Sequence, residues 1–269
     1  MTTANSRVQT LITEILEDMR ERRSILVAFS GGVDSSVVAA LAHRALGERA
    51  LAVTAASETL PARELDEVRQ VAREIAIAHR VITFSELASE SFASNPENRC
   101  YFCQRMRMSN LKTLAQQLGF STVASGTNLS DTRGHRPGLH AMAEHDVYQP
   151  LLEHRVEKPE VRAIAQELGL SVWDKPSMAC LASRIPHGLR VTQGKLTMIE
   201  QAEDFLHQKG FRQVRVRYHD RLARIEVAPE EMVKIFDGHL WKEIASYLKL
   251  LGFESVTLDL EGYRTGSNS

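Results

Sequence analysis

The chain has 269 residues, 43% of them apolar and 25% charged, which are ordinary values for a globular protein long enough to form two domains. Its 33 Lys and Arg nearly balance 34 Asp and Glu, so the formal charge of -1 disfavours nucleic acid as the substrate. No apolar run approaches the roughly 20 residues that cross a bilayer, and no charged segment followed by an apolar one begins the chain, so we expect a cytoplasmic protein without membrane contact.

The first part of the chain alternates short apolar runs with amphipathic helical patterns. Strands are predicted at residues 24–29, 50–56, 80–84 and 120–125. Helices are predicted at residues 36–46, 61–78, 104–118 and 156–168. This alternation is typical of an α/β fold, in which crossover helices cover both faces of a parallel sheet.

The pattern changes after residues 185–188, where we place a domain boundary. The first domain then covers residues 1–186 and the second residues 187–269. In the second, Thr192 is expected to cap a helix that runs to Lys209. Strands at 214–218 and 223–227 are expected to pair around His219, Asp220 and Arg221. With a helix at 229–251 and a strand at 255–260 they complete a small α+β domain, for which we expect substrate binding or oligomerisation.

The string SGGVDS at residues 30–35 joins the first predicted strand to a helix. Two glycines let the backbone approach an anion, and a helix N-terminus offers unpaired N–H groups, so phosphate is the expected ligand. The loop has neither the G-x-x-x-x-G-K-[ST] nor the G-x-G-x-x-G pattern. Because Asp34 would repel phosphates directly, we assign it to Mg²⁺. A Gly-Gly turn that only connects strand and helix is the alternative.

This string resembles the signature of the ATP-pyrophosphatase, or PP-loop, enzymes. The resemblance implies ATP cleavage between the α and β phosphates, transfer of AMP to a substrate oxygen and release of pyrophosphate. It also implies that pyrophosphate is bound by Ser30, Gly31, Gly32, Asp34, Ser35 and Ser36. Ala55 and Ser57, after the second strand, would then face the adenosine.

The three cysteines are Cys100 and Cys103, which form a C-x-x-C before a predicted helix, and the distant Cys180. A zinc site would normally need four protein ligands, whereas a redox dithiol needs only the C-x-x-C. Three thiolates can also hold a 4Fe-4S cluster and leave one iron open for a further ligand. A buried Cys180 beside an unused C-x-x-C remains a fourth interpretation.

Four further stretches narrow the resemblance to the LarE family of ATP-dependent sulfur transferases. They are GTN at 126–128, HRPGL at 135–139, QPLL at 149–152 and WDKPSMACLASRIPHG at 173–188. Membership implies that Gly126 belongs to the nucleotide site. It also implies that AMP activates the carboxylates of pyridinium-3,5-biscarboxylic acid mononucleotide, which become thiocarboxylates on the way to the nickel-pincer nucleotide of lactate racemase. A homo-oligomer such as a hexamer is expected.

Two forms of the sulfur step exist within this resemblance. In one, a lone cysteine at the position of Cys180 gives up its own sulfur and becomes dehydroalanine. In the other, three cysteines hold a 4Fe-4S cluster whose open iron carries a sulfide that a sulfur donor replaces. Cys100 and Cys103 favour the cluster. The chain departs from the family at Gly134 and His135, where the family pattern has Asp-Tyr before Arg-Pro-Gly.

Several charged residues of the later part of the chain are further candidates. Arg215 and Arg217 alternate on one face of a strand and would both reach a mononucleotide phosphate, unless that face is merely solvated. Arg184 is a candidate for a carboxylate or phosphate. Glu203 and Glu226 are tentative metal ligands, although most carboxylates are solvated.

Three other functions compete with sulfur transfer to a small molecule. A PP-loop tRNA 2-thiolase with an iron–sulfur cluster shares the chemistry but needs a basic groove, against which the charge balance counts. An amidating synthetase of the NAD or GMP synthetase type uses ammonia and needs no cysteines. A non-catalytic nucleotide-binding regulator is the third.

Overall fold

The computed structural model describes residues 2–133, 137–176 and 179–264 and divides the chain into two compact units. The first comprises residues 1–57, 62–85 and 98–178, and the second comprises residues 58–61, 86–97 and 179–269. The second unit thus takes in residues 179–186, which precede the predicted boundary, as well as two short earlier segments. Within the described part of the chain, no helix is long and apolar enough to cross a membrane.

Helices and strands alternate along most of the first unit, and the elements of both units are numbered together along the chain. In chain order the helices are α1 (Thr2–Arg20), α2 (Val33–Leu46), α3 (Ala62–Ile75), α4 (Glu90–Ala93), α5 (Arg99–Leu118), α6 (Pro137–Glu144), α7 (Pro150–Glu153), α8 (Lys158–Glu167), α9 (Gln193–Gln208), α10 (Met232–Ile235) and α11 (Leu240–Leu250). The strands are β1 (Ile25–Ala28), β2 (Ala50–Ala56), β3 (Ala78–Thr83), β4 (Thr122–Ala124), β5 (Val214–His219), β6 (Leu222–Val227) and β7 (Ser255–Leu258).

The sheet of the first unit has the strand order β3-β2-β1-β4, and all its strands are parallel. Ile25 of β1 pairs with Ala50 of β2 on one side and with Thr122 of β4 on the other. Strand β1 is therefore central, with β2, the next strand of the chain, on one side and the later β4 on the other.

Helices cover both faces of this sheet, as alternate residues of β1 show. Ile25 and Val27 are fully buried in a cluster with apolar residues of α1, α2, α3 and α8. Leu26, between them, points to the other face and packs with Met108 and Leu111 of α5. The predicted α/β fold with helices on both faces is confirmed.

The second unit contains a three-stranded sheet of order β5-β6-β7. Strands β5 and β6 form the antiparallel pair predicted around Asp220 and Arg221, whose positive φ values of 45° and 71° suit a tight turn. Strand β7 adds parallel to β6. The Thr192 side chain accepts a hydrogen bond from Lys195 N and caps α9, as predicted.

Three helices differ from the sequence predictions. Helix α1 was not predicted, although its apolar face is buried in the core of the first unit. Helix α5 begins at Arg99 instead of 104, so the C-x-x-C lies inside the helix and does not precede it. Helix 229–251 is broken at Asp237 and Gly238 into α10 and α11, because glycine is a poor helix former.

Candidate functional site

The loop at residues 30–35 lies at the carboxyl end of β1 and leads directly into α2. Strand β2, the next along the chain, pairs with one edge of β1, and β4 pairs with the other edge. The strand order therefore reverses at β1. Open α/β sheets bind their ligands in the crevice at such a point, beyond the carboxyl ends of the strands.

Two glycines allow the backbone around this loop to come close together. Gly31 has a φ of +69°, and a Cβ there would lie 2.7 Å from Val68 Cγ2. Gly126, just after β4, has an ordinary φ, but a Cβ would lie 2.6 Å from the backbone nitrogen of Ser35. Any side chain at Gly126 would thus fill the space beside the N-terminus of α2.

The serines of the loop divide into two roles. Ser30 Oγ lies 3.1 Å from Ser35 Oγ, which donates to Gly32 O at 3.1 Å, so this pair shapes the loop. Ser36 Oγ is fully buried and has no hydrogen-bond partner among the described residues. Buried hydroxyls are rarely left without a partner, so Ser36 is suited to a ligand atom.

The N-terminus of α2 completes an anion site. Gly32 is its N-cap and provides no side-chain cap for the first N–H groups of the helix. Those groups, together with the helix dipole, favour a phosphate. The arrangement fits the nucleotide expected from the sequence, although the assignment of the individual residues stays a prediction.

Asp34, in the first turn of α2, is held by two residues from other parts of the first unit. Lys158, the first residue of α8, places Nζ 2.5 Å from Asp34 Oδ2. Asn128, after β4, donates from Nδ2 to Asp34 Oδ1 at 3.0 Å. Asn128 is almost fully buried, and its Oδ1 accepts from Ser130 N, so its orientation is fixed.

A second lysine lies beside the loop. Lys175 places Nζ 2.7 Å from Glu67 Oε2 and 3.5 Å from Gly31 O. The sequence reasoning singled out neither Lys158 nor Lys175. The sequence feature that could have indicated Lys158 is its position at the start of a predicted helix. The feature that could have indicated Lys175 is its place in the WDKP string.

The residues around Asp34 fit Mg²⁺ bound together with nucleotide phosphates. Magnesium usually takes one or two protein carboxylates and completes its shell with phosphate oxygens and water. Asp34 supplies one such carboxylate and is partly accessible, with its side chain 26% exposed. Within the described ranges of either unit, no three His, Cys, Asp or Glu side chains form a group that would hold a metal alone.

The C-x-x-C occupies the first turns of α5. Cys100 is exposed and Cys103 half-buried, and neither forms a disulfide. Their spacing of three puts both on one helix face. Tyr101 donates to the Glu144 carboxylate at 2.8 Å and so ties this turn to α6. Two thiolates on one face suit a shared metal cluster by donor chemistry, with a third supplied elsewhere.

Cys180 lies in the second unit, immediately before a 3₁₀ turn at Leu181–Arg184. Leu181 N donates to Thr59 O at 3.0 Å, which holds this turn against the short segment 58–61 of the same unit. Cys180 is half-buried and, like the other two cysteines, has no disulfide. Its expected part in the sulfur step, together with Cys100 and Cys103, stays a prediction.

Four charged residues of the second unit form two buried ion pairs. Arg184 Nε is 2.9 Å from Glu203 Oε1, and Arg217 Nε is 2.8 Å from Glu226 Oε1. Burial lowers the pKa of Arg184, but the Glu203 carboxylate outweighs it and the pKa lies above its usual value. The tentative assignment of Glu203 and Glu226 to a metal is not supported, because both carboxylates are bonded to guanidinium groups.

Arg215 differs from the other two arginines. Its guanidinium lies 4.4 Å from the centre of the Tyr263 ring and donates to Arg264 O at 3.2 Å. Among the described residues, no carboxylate pairs with it. Burial lowers its pKa, and the charges of Arg184 and Arg217 lower it further. Arg215 therefore brings a positive charge that an anionic ligand would stabilise.

The remaining predicted positions add little. Ala55 lies in β2 and is buried, and Ser57 follows the end of that strand. Gly134 and His135, where the chain departs from the resemblance, lie outside the described residues, as do Ser177 and Met178 of the WDKPSMACLASRIP string.

Comparison with known protein families gives one match, to the asparagine synthase family, over residues 8–95. These residues contain β1, the loop and α2. The match therefore includes the loop but ends before Gly126, Asn128 and Lys158.

Three curated proteins resemble the chain over nearly its whole length. An uncharacterized protein of Synechocystis sp. is 43% identical over 255 residues, which are 93% of this chain and 95% of that protein. The pyridinium-3,5-bisthiocarboxylic acid mononucleotide synthase of Lactiplantibacillus plantarum is 34% identical over 270 residues, 99% of this chain and 95% of that protein. An uncharacterized protein of Methanocaldococcus jannaschii is 27% identical over 250 residues, 93% and 94% of the two chains.

Proposed function

The chain belongs to the LarE family of ATP-dependent sulfur transferases, and from that premise we propose that it converts carboxylates of pyridinium-3,5-biscarboxylic acid mononucleotide to thiocarboxylates for the nickel-pincer nucleotide. The observation that carries the proposal is the 34% identity over almost the entire chain to a synthase of the bisthiocarboxylic acid mononucleotide. The bisthiocarboxylic acid mononucleotide made by that synthase differs from the biscarboxylic acid by sulfur in place of oxygen.

The first half of the reaction is adenylylation. The N–H groups at the start of α2, with Ser36 Oγ, bind the β and γ phosphates that leave as pyrophosphate. Asp34 would hold Mg²⁺, which would neutralise phosphate charge. Lys158 and Lys175 add positive charge at the same end of the sheet. A substrate carboxylate oxygen attacks the α phosphorus, and the bond from that phosphorus to the bridging oxygen breaks.

The second half replaces oxygen by sulfur at the activated carboxylate. We assign Cys100, Cys103 and Cys180 as the thiolates that hold a 4Fe-4S cluster. When bound, such a cluster with one open iron would supply sulfide, and AMP would leave with the original carboxylate oxygen. A separate sulfur donor must then restore the sulfide. The donor set supports this assignment, because three thiolates match the three protein ligands that the cluster requires.

Arg215 is the residue of the second unit that we assign to the mononucleotide phosphate. Its support is the positive charge without a carboxylate partner in the described part of the unit. Arg217 and Arg184, in contrast, already bind carboxylates. A cytoplasmic location and a homo-oligomer such as a hexamer stay predictions from the sequence.

A comparison of acceptors tests this function against its competitors. The purified protein is given ATP, Mg²⁺ and one of three acceptors: the mononucleotide biscarboxylate, tRNA, or a simple carboxylic acid with ammonia. We expect pyrophosphate release to rise only with the biscarboxylate. A rise with tRNA would instead identify a thiolase of RNA, and a rise with ammonia would identify an amidating synthetase.

A further inference from the structure

The backbone on both sides of Cys180 is held by arginine side chains. Arg184 Nη1 donates to Ala179 O at 2.5 Å and to Cys180 O at 3.1 Å. Arg217 Nη1 donates to Ser183 O at 3.1 Å. Three carbonyl groups within one short turn are therefore bonded to guanidinium groups that come from two different elements of the second unit.

Each of these guanidinium groups is itself fixed by a carboxylate. Glu203 on α9 accepts from Nε and Nη2 of Arg184 at 2.9 and 3.0 Å. Glu226 on β6 accepts from Nε and Nη2 of Arg217 at 2.8 and 3.3 Å. Such paired contacts fix the plane of the guanidinium as well as its position. The direction of each Nη1, which holds the Cys180 turn, is therefore determined by the carboxylate bound to the same guanidinium.

The Arg184–Glu203 pair is also connected to the sheet of the unit. Glu203 Oε1 accepts a hydrogen bond from Val216 N on β5 at 2.9 Å. The side chains of Arg184 and Glu203 are only 7% and 3% exposed. A buried ion pair whose atoms are hydrogen-bonded to the protein is rigid. The rigid connection here runs from β5 through Glu203 and Arg184 to the backbone of Cys180.

The polar atoms of Arg184 and Glu203 already bond to protein atoms. In Arg184, Nε and both terminal nitrogens donate to protein oxygens, and in Glu203 both oxygens accept from guanidinium or backbone nitrogens. We propose that Arg184 is a positioning residue, which with Glu203 fixes Cys180 for the sulfur step and does not bind the acceptor. The inference rests on the proposed function, since it concerns the step in which sulfur is transferred.

The inference separates the two halves of the reaction. Pyrophosphate release depends on the loop, Asp34 and Lys158 of the first unit and on acceptor binding, which we assign to Arg215. Arg215 contacts Tyr263 and Arg264, whereas Arg184 bonds to Glu203 and to the backbone beside Cys180. The acyl adenylate should therefore still form when the contacts of Arg184 are weakened. Because the sulfur site is displaced, water hydrolyses the adenylate instead. ATP is then consumed without formation of thiocarboxylate.

The test compares two conservative variants with a matched pair on the surface. Arg184→Lys keeps the charge but loses the forked contact, and Glu203→Gln keeps the shape but loses the charge. Arg190 and Glu90 form a forked ion pair in the same unit, with side chains 53% and 71% exposed. Arg190→Lys and Glu90→Gln are the controls. Pyrophosphate and thiocarboxylate are measured together, and hydrogen exchange is followed in the peptide of residues 179–186.

We expect the yield of thiocarboxylate per pyrophosphate to fall about 100-fold in Arg184→Lys and Glu203→Gln, as a displacement of about 1 Å at a reacting group does. Pyrophosphate release should change by less than about three-fold, which is under 1 kcal/mol. Exchange in residues 179–186 should be faster than in the wild type. The controls should match the wild type in all three measurements.

Three outcomes overturn the inference. One is an unchanged yield per pyrophosphate in both variants. Another is an equal fall of both products with a raised KM for the acceptor, which would make Arg184 an acceptor-binding residue. The third is that neither variant can be purified folded, which would make the pair a determinant of stability only. If the wild type itself releases no pyrophosphate with the acceptor, the proposed function fails instead.

Discussion

Lys158 and Asp34 form an ion pair, with 2.5 Å between Nζ and Oδ2, at the point where the strand order of the first sheet reverses. The two residues are 124 positions apart in the chain. The pair places a positive charge beside the carboxylate that we assign to Mg²⁺. In the proposed exchange Asp34 would hold the bound metal in place of Lys158, and Lys158 would contact a phosphate oxygen.

This exchange predicts that Lys158 is needed for adenylylation. Lys158→Ala should slow acceptor-dependent pyrophosphate release by roughly 10- to 150-fold, which corresponds to the loss of one charge-assisted contact of about 1.5 to 3 kcal/mol. Asp34→Ala should abolish it. The measurement is the rate of pyrophosphate release at saturating ATP.

Lys209 provides the control for the lysine. Its Nζ lies 2.6 Å from Glu243 Oε2 in an exposed ion pair of the second unit. Lys209→Ala removes a contact of similar length and should leave the rate unchanged, because exposed pairs are worth little. Equal rates in Lys158→Ala and the wild type would contradict a role for Lys158.

The close approach of Gly126 to the N-terminus of α2 makes a second prediction. A Cβ there would lie 2.6 Å from Ser35 N, so Gly126→Ala must displace the loop or occupy the space of a phosphate. ATP binding, measured by calorimetry, should weaken about ten-fold or more, since backbone N–H groups would lose their alignment.

Gly194 is the matched position for this change. It has an ordinary φ and no atom within 4 Å of an added Cβ, so Gly194→Ala should bind ATP as the wild type does. The prediction would be refuted by wild-type ATP affinity in Gly126→Ala.

The third prediction distinguishes two neighbouring arginines of β5. Arg215→Ala should weaken acceptor binding by roughly 10- to 150-fold, because it removes a charged contact to phosphate worth about 1.5 to 3 kcal/mol. ATP affinity should stay the same. Acceptor affinity and ATP affinity are measured separately by calorimetry.

Arg217→Ala should act differently, through stability. It leaves Glu226 buried with one of its guanidinium partners removed, and breaking such a pair costs about 3 to 5 kcal/mol. Denaturant unfolding should show this loss, which Arg215→Ala should not match. If both variants keep wild-type acceptor affinity, Arg215 does not hold the phosphate.

The fourth prediction concerns the cysteines. Protein purified without oxygen should be brown and contain about four irons per chain. Replacing Cys100, Cys103 or Cys180 by Ala should remove both the colour and the sulfur transfer. If only Cys180→Ala is inactive, Cys180 supplies its own sulfur, and mass spectrometry after turnover should show that it has lost the elements of H₂S.

The first sheet and its loop could be predicted from sequence because their signals are local. Strand β2 was predicted with its observed bounds, and SGGVDS lies directly between an apolar run and a helical pattern. The start of α5 was missed because cysteine and aromatic residues are weak helix formers, and tertiary contacts such as Tyr101 with Glu144 support that turn.

The contacts between distant residues could not be predicted from periodicity. The assignment of Asp34 to Mg²⁺ came from the loop alone and stays a prediction, and no residue near Asp34 in the sequence indicates its contact with Lys158. Arg217 and Glu226 lie on two strands that were predicted to pair, so their contact was within reach of the sequence reasoning. Arg184 with Glu203 was not, because Arg184 lies in a turn without regular periodicity.

The most direct test of the account is the product of a single anaerobic reaction. Wild-type protein is incubated with ATP, Mg²⁺ and pyridinium-3,5-biscarboxylic acid mononucleotide, and the nucleotide and acceptor products are identified by mass spectrometry. We predict AMP, pyrophosphate and an acceptor in which a carboxylate oxygen has been replaced by sulfur. ADP with phosphate, or AMP with an acceptor that contains no sulfur, would contradict it.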